Sequence, residues 1–395
     1  MSKQNNINSI IGGGIAGLVT ALSFEKLGIP YQLYEQAEKL DPIGSGIWLS
    51  PNALQTLEWI NPELLNTVIQ SGNMLDRIMV ANHKLKPISD SNQEFVKEKF
   101  GYSTVAIHRG TLQEILLQFS DTNKIHLGKG FKKYSIGKDS TLIIDFEDDT
   151  SINSNHLIAA DGLRSKVRKQ VFPESNIRYT GQTCWRGIAN FDLNKDLATM
   201  GFTLWGEKLQ FGVSKIIKGK VYWFAVKLSN PNEKDDSSEV KQALLKLFTN
   251  YTSPVLDLIK NTHENQIIRT DLNDLEPLSS WSKNNIGLIG DAAHAMTPDL
   301  GQGGAQAIED AYYLSHCLKQ FDSFENGFNA FYQYRKPKVT KLVKQSRITS
   351  KMAITNSFME GIRNFMLRNY PKKMMQKQML ELYTINKTVA NNMYK

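Results

Sequence analysis

Within residues 286–310, IGLIGDAAHAMTPDLGQGGAQAIED, a carboxylate at a strand end and a run of bare backbone fall between two apolar stretches. Ile286, Gly287, Leu288 and Ile289 read as a short buried strand that delivers Asp291. Pro298, Gly301, Gln302, Gly303 and Gly304 form a loop that runs directly into the apolar-periodic stretch Ala305, Ile308, Ala311, Leu314. A helix N-terminus carries unpaired N–H groups and partial positive charge, so this segment suits an electron-rich or anionic ligand edge.

A second constellation lies near the N-terminus. An apolar strand, residues 8–11, is followed by Gly12-Gly13-Gly14-Ile15-Ala16-Gly17 and an amphipathic helix to about Leu27. A second strand, residues 31–34, then ends in Glu35, eighteen residues past Gly17. This is the order of parts in a dinucleotide-binding βαβ unit: Gly12 for the turn, Gly14 for close approach of a pyrophosphate, Gly17 for helix-on-strand packing, Glu35 for the adenosine ribose. A carboxylate at the ribose repels a 2′-phosphate, so the site suits FAD or NAD and not NADP.

Other residues extend the two constellations. Arg109 stands just before an expected helix with Thr111 as its N-cap, where the guanidinium fork can bind a pyrophosphate or ribityl group. A strand at 156–160 enters Asp161-Gly162 and then a basic helix, a second place for backbone to meet a dinucleotide. Residues 41–52 form a Gly/Pro/Ser-rich loop with Gly46 and Trp48. From Thr183 to Val226 the pattern has period two and is aromatic, which predicts an antiparallel sheet whose wall covers a ligand. Trp48, Trp185, Arg186, Phe211, Tyr222 and Phe224 are the candidates for its pocket lining. His108 and His294 are read as structural, and no protein nucleophile or general base is nominated.

These residues need a large frame, and 395 residues supply one, sufficient for two or three domains. The 41% hydrophobic and 22% charged content argues against disorder. No apolar run approaches the roughly 18–20 residues that span a bilayer, and the first eight residues lack a signal-peptide core. Cys184 and Cys317 have no metal-ligand spacing and are expected as buried thiols in a reducing, cytoplasmic setting. The net charge of +8 is uneven: residues 335–395 hold 14 Lys/Arg against Glu360 and Glu381, leaving the remainder mildly acidic. That distribution argues against a nucleic-acid partner. Within the basic segment, residues 351–382 read as a pair of amphipathic helices. The expected arrangement packs their apolar side on the protein; the other is a weak peripheral contact with an anionic membrane.

With GGGIAG, Glu35, Arg109, the ADG of 160–162 and GD with PDLGQGG at 290–304 all in order, the chain resembles the class A flavoprotein monooxygenases of the para-hydroxybenzoate hydroxylase fold. The resemblance spans roughly residues 7–335. YTGQTCWRGIANF at 179–191 and the unbroken TPDLGQGGAQAIEDA look most like the zeaxanthin epoxidase, urate hydroxylase and salicylate hydroxylase branch. The resemblance implies an α/β fold, α+β overall. A Rossmann-type FAD-binding domain would comprise residues 1–75, 101–178 and 265–334. An inserted antiparallel-sheet substrate domain would comprise 76–100 and 179–264, with a helical C-terminal segment, 335–395.

The same resemblance assigns Gly12, Gly14, Ile15, Ala16, Gly17 and Glu35 to the ADP half of FAD, and Arg109 to its pyrophosphate and ribityl region. Gly46, Asp161, Gly162, Asp291, Pro298, Gly301, Gln302, Gly303 and Gly304 complete the expected cofactor-binding set. The implied reaction is reduction of FAD by NADH or NADPH, capture of O2 as a flavin C4a-(hydro)peroxide, and hydroxylation or epoxidation of a planar aromatic, polycyclic or polyene small molecule. Gln210 aligns with an arginine of the urate hydroxylases, which speaks against urate. The competing readings are a flavin-dependent reductase of the geranylgeranyl-reductase type and a non-catalytic flavin-binding redox sensor.

Overall fold

The computed structural model describes residues 7–40, 44–139, 141–236 and 238–391. A six-stranded sheet runs in the order Ser282–Lys283, Ile286–Leu288, His156–Ala159, Asn8–Ile11, Tyr31–Tyr34, Ile125–His126. Its strands are parallel except at the Ser282–Lys283 edge. Parallel neighbours need crossovers, and the helix Ile15–Leu27 supplies the one between the two strands of the βαβ unit. This helix is expected to be amphipathic, but Gly17 to Phe24 are all buried, because the helix Gly303–Gln320 packs against it. The glycine loop and the βαβ turn are thereby held by two helices in direct contact.

The second sheet has seven strands in the order Ile268–Leu275, Ile177–Asn190, Lys220–Leu228, Leu209–Ile217, Met200–Gly206, Arg77–Asn82, Pro87–Asn92. It is antiparallel except where Met200–Gly206 runs parallel to Arg77–Asn82, a pair joined by a long excursion of the chain and not by a hairpin. Its edge strand Ile268–Leu275 lies in residues that the sequence groups with the FAD-binding part. One face of the sheet packs on the helices Val240–Leu247 and Val255–Lys260 around Phe202, Phe211 and Trp223. The other face looks toward the first sheet.

Three local expectations change. Within the loop expected at 41–52, Gly46–Leu49 is a strand paired with Val105–His108, and residues 41–43 lie outside the described residues. The helix expected to start after Arg109 begins at it, and the His108 ring, not Thr111, is the cap, accepting from the Thr111 N–H at 3.4 Å. The helix expected to end near Tyr334 runs from Phe324 to Ala353, straight through Pro337. Pro337 and Gln333, whose carbonyl loses its helical partner to the proline, are both exposed, so water can take that hydrogen bond.

Candidate functional site: a groove between two sheets

Three adjoining cavities of about 350, 830 and 230 Å3 form one groove. Gly12, Gly14, Glu35, Asp161 and Gly162 line its first part, and Arg109 lines both the first and the second. Gly46, Arg186, Tyr222 and Pro298 are shared by the second and third. Asp291, Gly301, Gln302, Gly303 and Gly304 line the third. The two constellations therefore sit at opposite ends of one elongated space, with Arg109 between them.

Local geometry explains why these residue types occupy the βαβ turn. Gly12 has φ +110°, and a Cβ there would lie 2.5 Å from the Ala160 carbonyl oxygen; a Cβ on Gly17 would lie 1.9 Å from the Gly12 oxygen. Gly14 has no atom within 4 Å of where its Cβ would be, so the turn opens on bare backbone. Glu35 accepts from the Gly13 N–H at 2.5 Å and the Ala37 N–H at 2.9 Å, which fixes its carboxylate at the strand end. One Asp161 oxygen accepts from the Val167 N–H at 3.3 Å, while the other is buried without a partner, and burial pushes its pKa up. Ile15 and Ala16 do not line the groove; they form the first helical turn beneath it.

At the other end, Asp291 opens onto the cavity floor. The surrounding protein raises its pKa, a shift opposed by His294 and Arg109. Asp299, in the turn Pro298–Leu300, also lines the third cavity; it keeps one buried oxygen without a partner, and burial pushes its pKa up to about 6. The apolar-periodic helix Gly303–Gln320 presents its start to the same space.

The sheet wall sorts the pocket candidates by strand alternation. Arg186 pairs with Phe224 across one ladder and Ser214 with Tyr222 across the next, and these four side chains face the third cavity. The Arg186 guanidinium donates to Thr270 Oγ1. Burial raises the Tyr222 phenol to about 12, so it stays protonated. Trp48 lines the same cavity, with its indole N–H donating to Ser214 Oγ at 3.1 Å. Trp185, Phe211 and Gln210 do not line it. Trp185 and Phe211 fall on the opposite face: Phe211 stacks on Trp223 with centroids 5.4 Å apart, and Trp185 donates to Asp235 and lies 5.1 Å from the Arg269 guanidinium. Gln210 is buried further along the strand, paired in register with Trp205 and Val226.

The sequence matches the FAD binding domain family over residues 7–346. It is also 34% identical over 311 residues to the aurachin C monooxygenase/isomerase of Stigmatella aurantiaca, an alignment covering 78% of this chain and 79% of that protein. The chain belongs to the class A FAD-dependent monooxygenases. A zeaxanthin epoxidase from Nicotiana plumbaginifolia is 32% identical over 330 residues, 78% of this chain but 47% of the epoxidase, so the chain spans about half the length of that relative. The crystal structure of Klebsiella pneumoniae HpxO with FAD and uric acid shares the fold, with a TM-score of 0.86 and 23% identity over 95% of this chain and 96% of that one.

For a FAD-dependent monooxygenase the groove fits its cofactor in chemistry. An open glycine turn stands at one end, an arginine at the middle and a helix start at the other, where negative charge on a reduced flavin would be stabilised. What the sequence does not signal is how this monooxygenase holds its glycine loop. Gln302 donates to Ser50 Oγ at 2.9 Å, Ser50 to Asn52 at 2.7 Å, and Asn52 to Glu309 at 2.8 Å. Glu309 and Asp310 are met by Arg335 at 2.5 and 2.7 Å, and Lys338 reaches Glu309 at 2.8 Å. Asp310 also accepts from the Gly290 N–H at 2.9 Å and lies 2.6 Å from His294 Nε2, fixing the backbone just before Asp291. Buried Arg168 ties the Asp161 loop to the same segment, donating to the carbonyls of Leu163 and Ala292.

In sequence Arg335 and Lys338 fall at the start of the basic segment and are given no role, and the one signal that could have found them is the acidic pair Glu309-Asp310 inside an apolar helix. Ser214 and Thr203 carry no signal beyond strand alternation. Both cysteines are buried free thiols, and Cys184 lines the third cavity.

Proposed function

We propose that this monooxygenase oxygenates a planar ring system that carries a carbonyl or phenolic oxygen. Support comes from the placement of Arg186 beside Tyr222 on the cavity wall, opposite the glycine loop. The cavity is otherwise lined by Ile47, Trp48, Val213, Phe224 and Met296, a largely apolar surface with a few convergent polar groups. In this reading Trp48 and Phe224 pack on the ring, while Arg186 and the Tyr222 hydroxyl donate to its oxygen and orient it. Bound FAD, reduced by NADH or NADPH, supplies the activation of O2. Gly12, Gly14, Glu35, Arg109, Asp161 and Asp291 hold that cofactor, and the apolar side chains of the wall limit water at the reacting end. The aurachin C relative favours a polycyclic substrate, and the zeaxanthin epoxidase relative keeps epoxidation beside hydroxylation as the outcome. The two free cysteines fit a reducing, cytoplasmic setting.

The test is turnover under 18O2. The purified yellow protein is expected to oxidise NADH or NADPH faster in the presence of a suitable fused-ring ketone or phenol and to place one labelled oxygen in the product. Arg186→Ala is expected to raise KM for that compound by tenfold or more, about 1.4 kcal/mol or more, with FAD retained. Oxygen-insensitive reduction of an alkene would overturn this reading in favour of a reductase.

A further inference from the structure

The helix Ser357–Arg368 is inside out. Glu360, Arg363 and Asn364 face the protein, whereas Phe358, Phe365 and Met366 are 80%, 69% and 61% exposed and Met359 and Ile362 complete the outer stripe. Arg363, 5% exposed, donates to the Met352 carbonyl and lies 5.0 Å over the Trp205 ring, so the polar side is the anchored one. The expected packing on the protein therefore fails for this helix, although the second of the pair, Lys372–Tyr383, does pack, with Met379 against Ser91 and Tyr383 buried. We propose that this outer face docks on an anionic lipid bilayer.

Charge selects the occupant. Lys351, Arg368, Lys372, Lys373 and Lys377 are exposed around the helix and its successor Lys372–Tyr383. Beyond residue 350 the ion pairs among the described residues are Arg363–Glu360 and Lys341–Glu381. An apolar stripe bordered by unpaired cations matches the boundary between anionic headgroups and acyl chains. A second copy of the chain placed two-fold symmetrically on this stripe would bring the same cations against one another.

The face is also held in place for docking. Ala353 and Ile354 before the helix pack with Cys184, Trp205 and Val226, and Leu367 joins them from its inner side. Past the second helix, Gln55 donates to the Tyr383 carbonyl at 2.8 Å, the Tyr313 hydroxyl accepts from the Asn386 N–H at 2.7 Å, and Val389 is fully buried. A helix of 12 residues is about 18 Å long and lies in the interface without spanning it. Because Cys184 also lines the third cavity, the inner side of this helix packs against residues that border the cavity which the proposed function assigns to substrate.

The experiment is vesicle co-sedimentation of the full-length FAD-loaded protein, a binding measurement whose result is separate from any turnover. At low salt the bound fraction is expected to be about tenfold higher on vesicles of equal parts phosphatidylglycerol and phosphatidylcholine than on phosphatidylcholine alone, and to fall as salt rises. Phe358→Asp with Phe365→Asp is expected to abolish binding while the flavin spectrum and NAD(P)H oxidation are retained. Lys372→Gln with Lys373→Gln is expected to reduce the preference for anionic vesicles severalfold. Wild-type protein that stays in solution with the anionic vesicles, or binds both vesicles equally, overturns the proposal. A dimer that the double Asp variant dissociates, with no vesicle binding by the wild type, overturns it in favour of self-association.

Discussion

Two helices of this chain depart from the usual inside-out order of polarity, in opposite directions. Gly303–Gln320 buries Gln306, Glu309, Asp310, Ser315 and His316, and Ser357–Arg368 exposes Phe358, Phe365 and Met366. In the first helix the charged pair Glu309-Asp310 finds its partners within the chain: Arg335, itself 1% exposed, with Lys338, His294 and Asn52, whereas the His316 ring nitrogens are buried without a hydrogen-bond partner among the described residues. In the second, the polar side has its partners and the apolar side has none among the described residues. A misplaced polarity thus points to where its partner lies. Buried charge implies a cation elsewhere in the fold, and here that cation holds the glycine loop; exposed apolar surface implies a partner outside it.

The largest effect expected from breaking this contrast is at Arg335. Arg335→Met leaves Glu309 with Lys338 and Asn52, and Asp310 with His294, but removes the buried guanidinium between them. Uncompensated buried charge costs about 3–5 kcal/mol. Thermal unfolding should show the loss directly, and FAD should dissociate more readily because Gly290 and Gln302 lose their fixed supports. A variant of wild-type stability with full FAD content would mean that the network is not what holds the loop.

Lys338→Met is expected to cost less. Its ammonium is only part-buried and shares Glu309 with Arg335, although burial does lower its pKa. Loss of the two Glu309 contacts and of the hydrogen bond to the Thr384 carbonyl should destabilise by about 1–3 kcal/mol. Proteolysis should then open the segment after residue 370 before the sheets unfold.

The two regions differed equally in how far sequence could describe them. The loop residues from Asp291 to Gly304 were legible because bare backbone next to a helix start has few other uses, and Gly12 to Glu35 because strand, turn, helix and acid occur at fixed spacing. Arg186, Tyr222 and Phe224 shared a face through period-two alternation, but Trp185 and Phe211 belong to the other face of the same strands, and an aromatic residue does not declare which face is the core. In sequence Arg335 counts only as one charge of the basic segment, because its acids lie 25 and 26 residues earlier on another helix. The amphipathic pattern of residues 357–368 was visible, but periodicity gives the two faces and not the direction of either.

A smaller effect, on pH dependence, is expected at Asp299. Its carboxyl titrates near 6 in the folded protein against 3.8 unfolded, because burial disfavours the charged form. Well below 3.8 both states are protonated and its contribution to stability is fully present. As pH rises from 4 toward 6 the unfolded state loses its proton first, so that contribution falls, and above 6 it is gone. The stability of the wild type relative to Asp299→Asn should therefore decline by about 1 kcal/mol across that window, allowing for the part-exposed position. Urea melts of the cofactor-free proteins at pH 4.5 and 7 would show it, and a constant difference would remove Asp299 from the pH response.

The smallest effect on stability should come from the most drastic change in polarity, Phe358→Asp with Phe365→Asp. Among the described residues neither ring has a packing partner to lose, since both are largely exposed while Arg363 and Leu367 anchor the opposite side. Surface substitutions away from packed or paired groups usually stay within about 0.5 kcal/mol. Two carboxylates set among Arg368, Lys372 and Lys373 gain modest attraction, which offsets the lower helix propensity of Asp. The melting temperature of this double variant should therefore match the wild type, while Arg335→Met, a single substitution from charge to hydrocarbon, lowers it strongly. If the double variant were destabilised by several kcal/mol, those rings would have to be packed within the chain, and the contrast between the two helices would fail at its outer end.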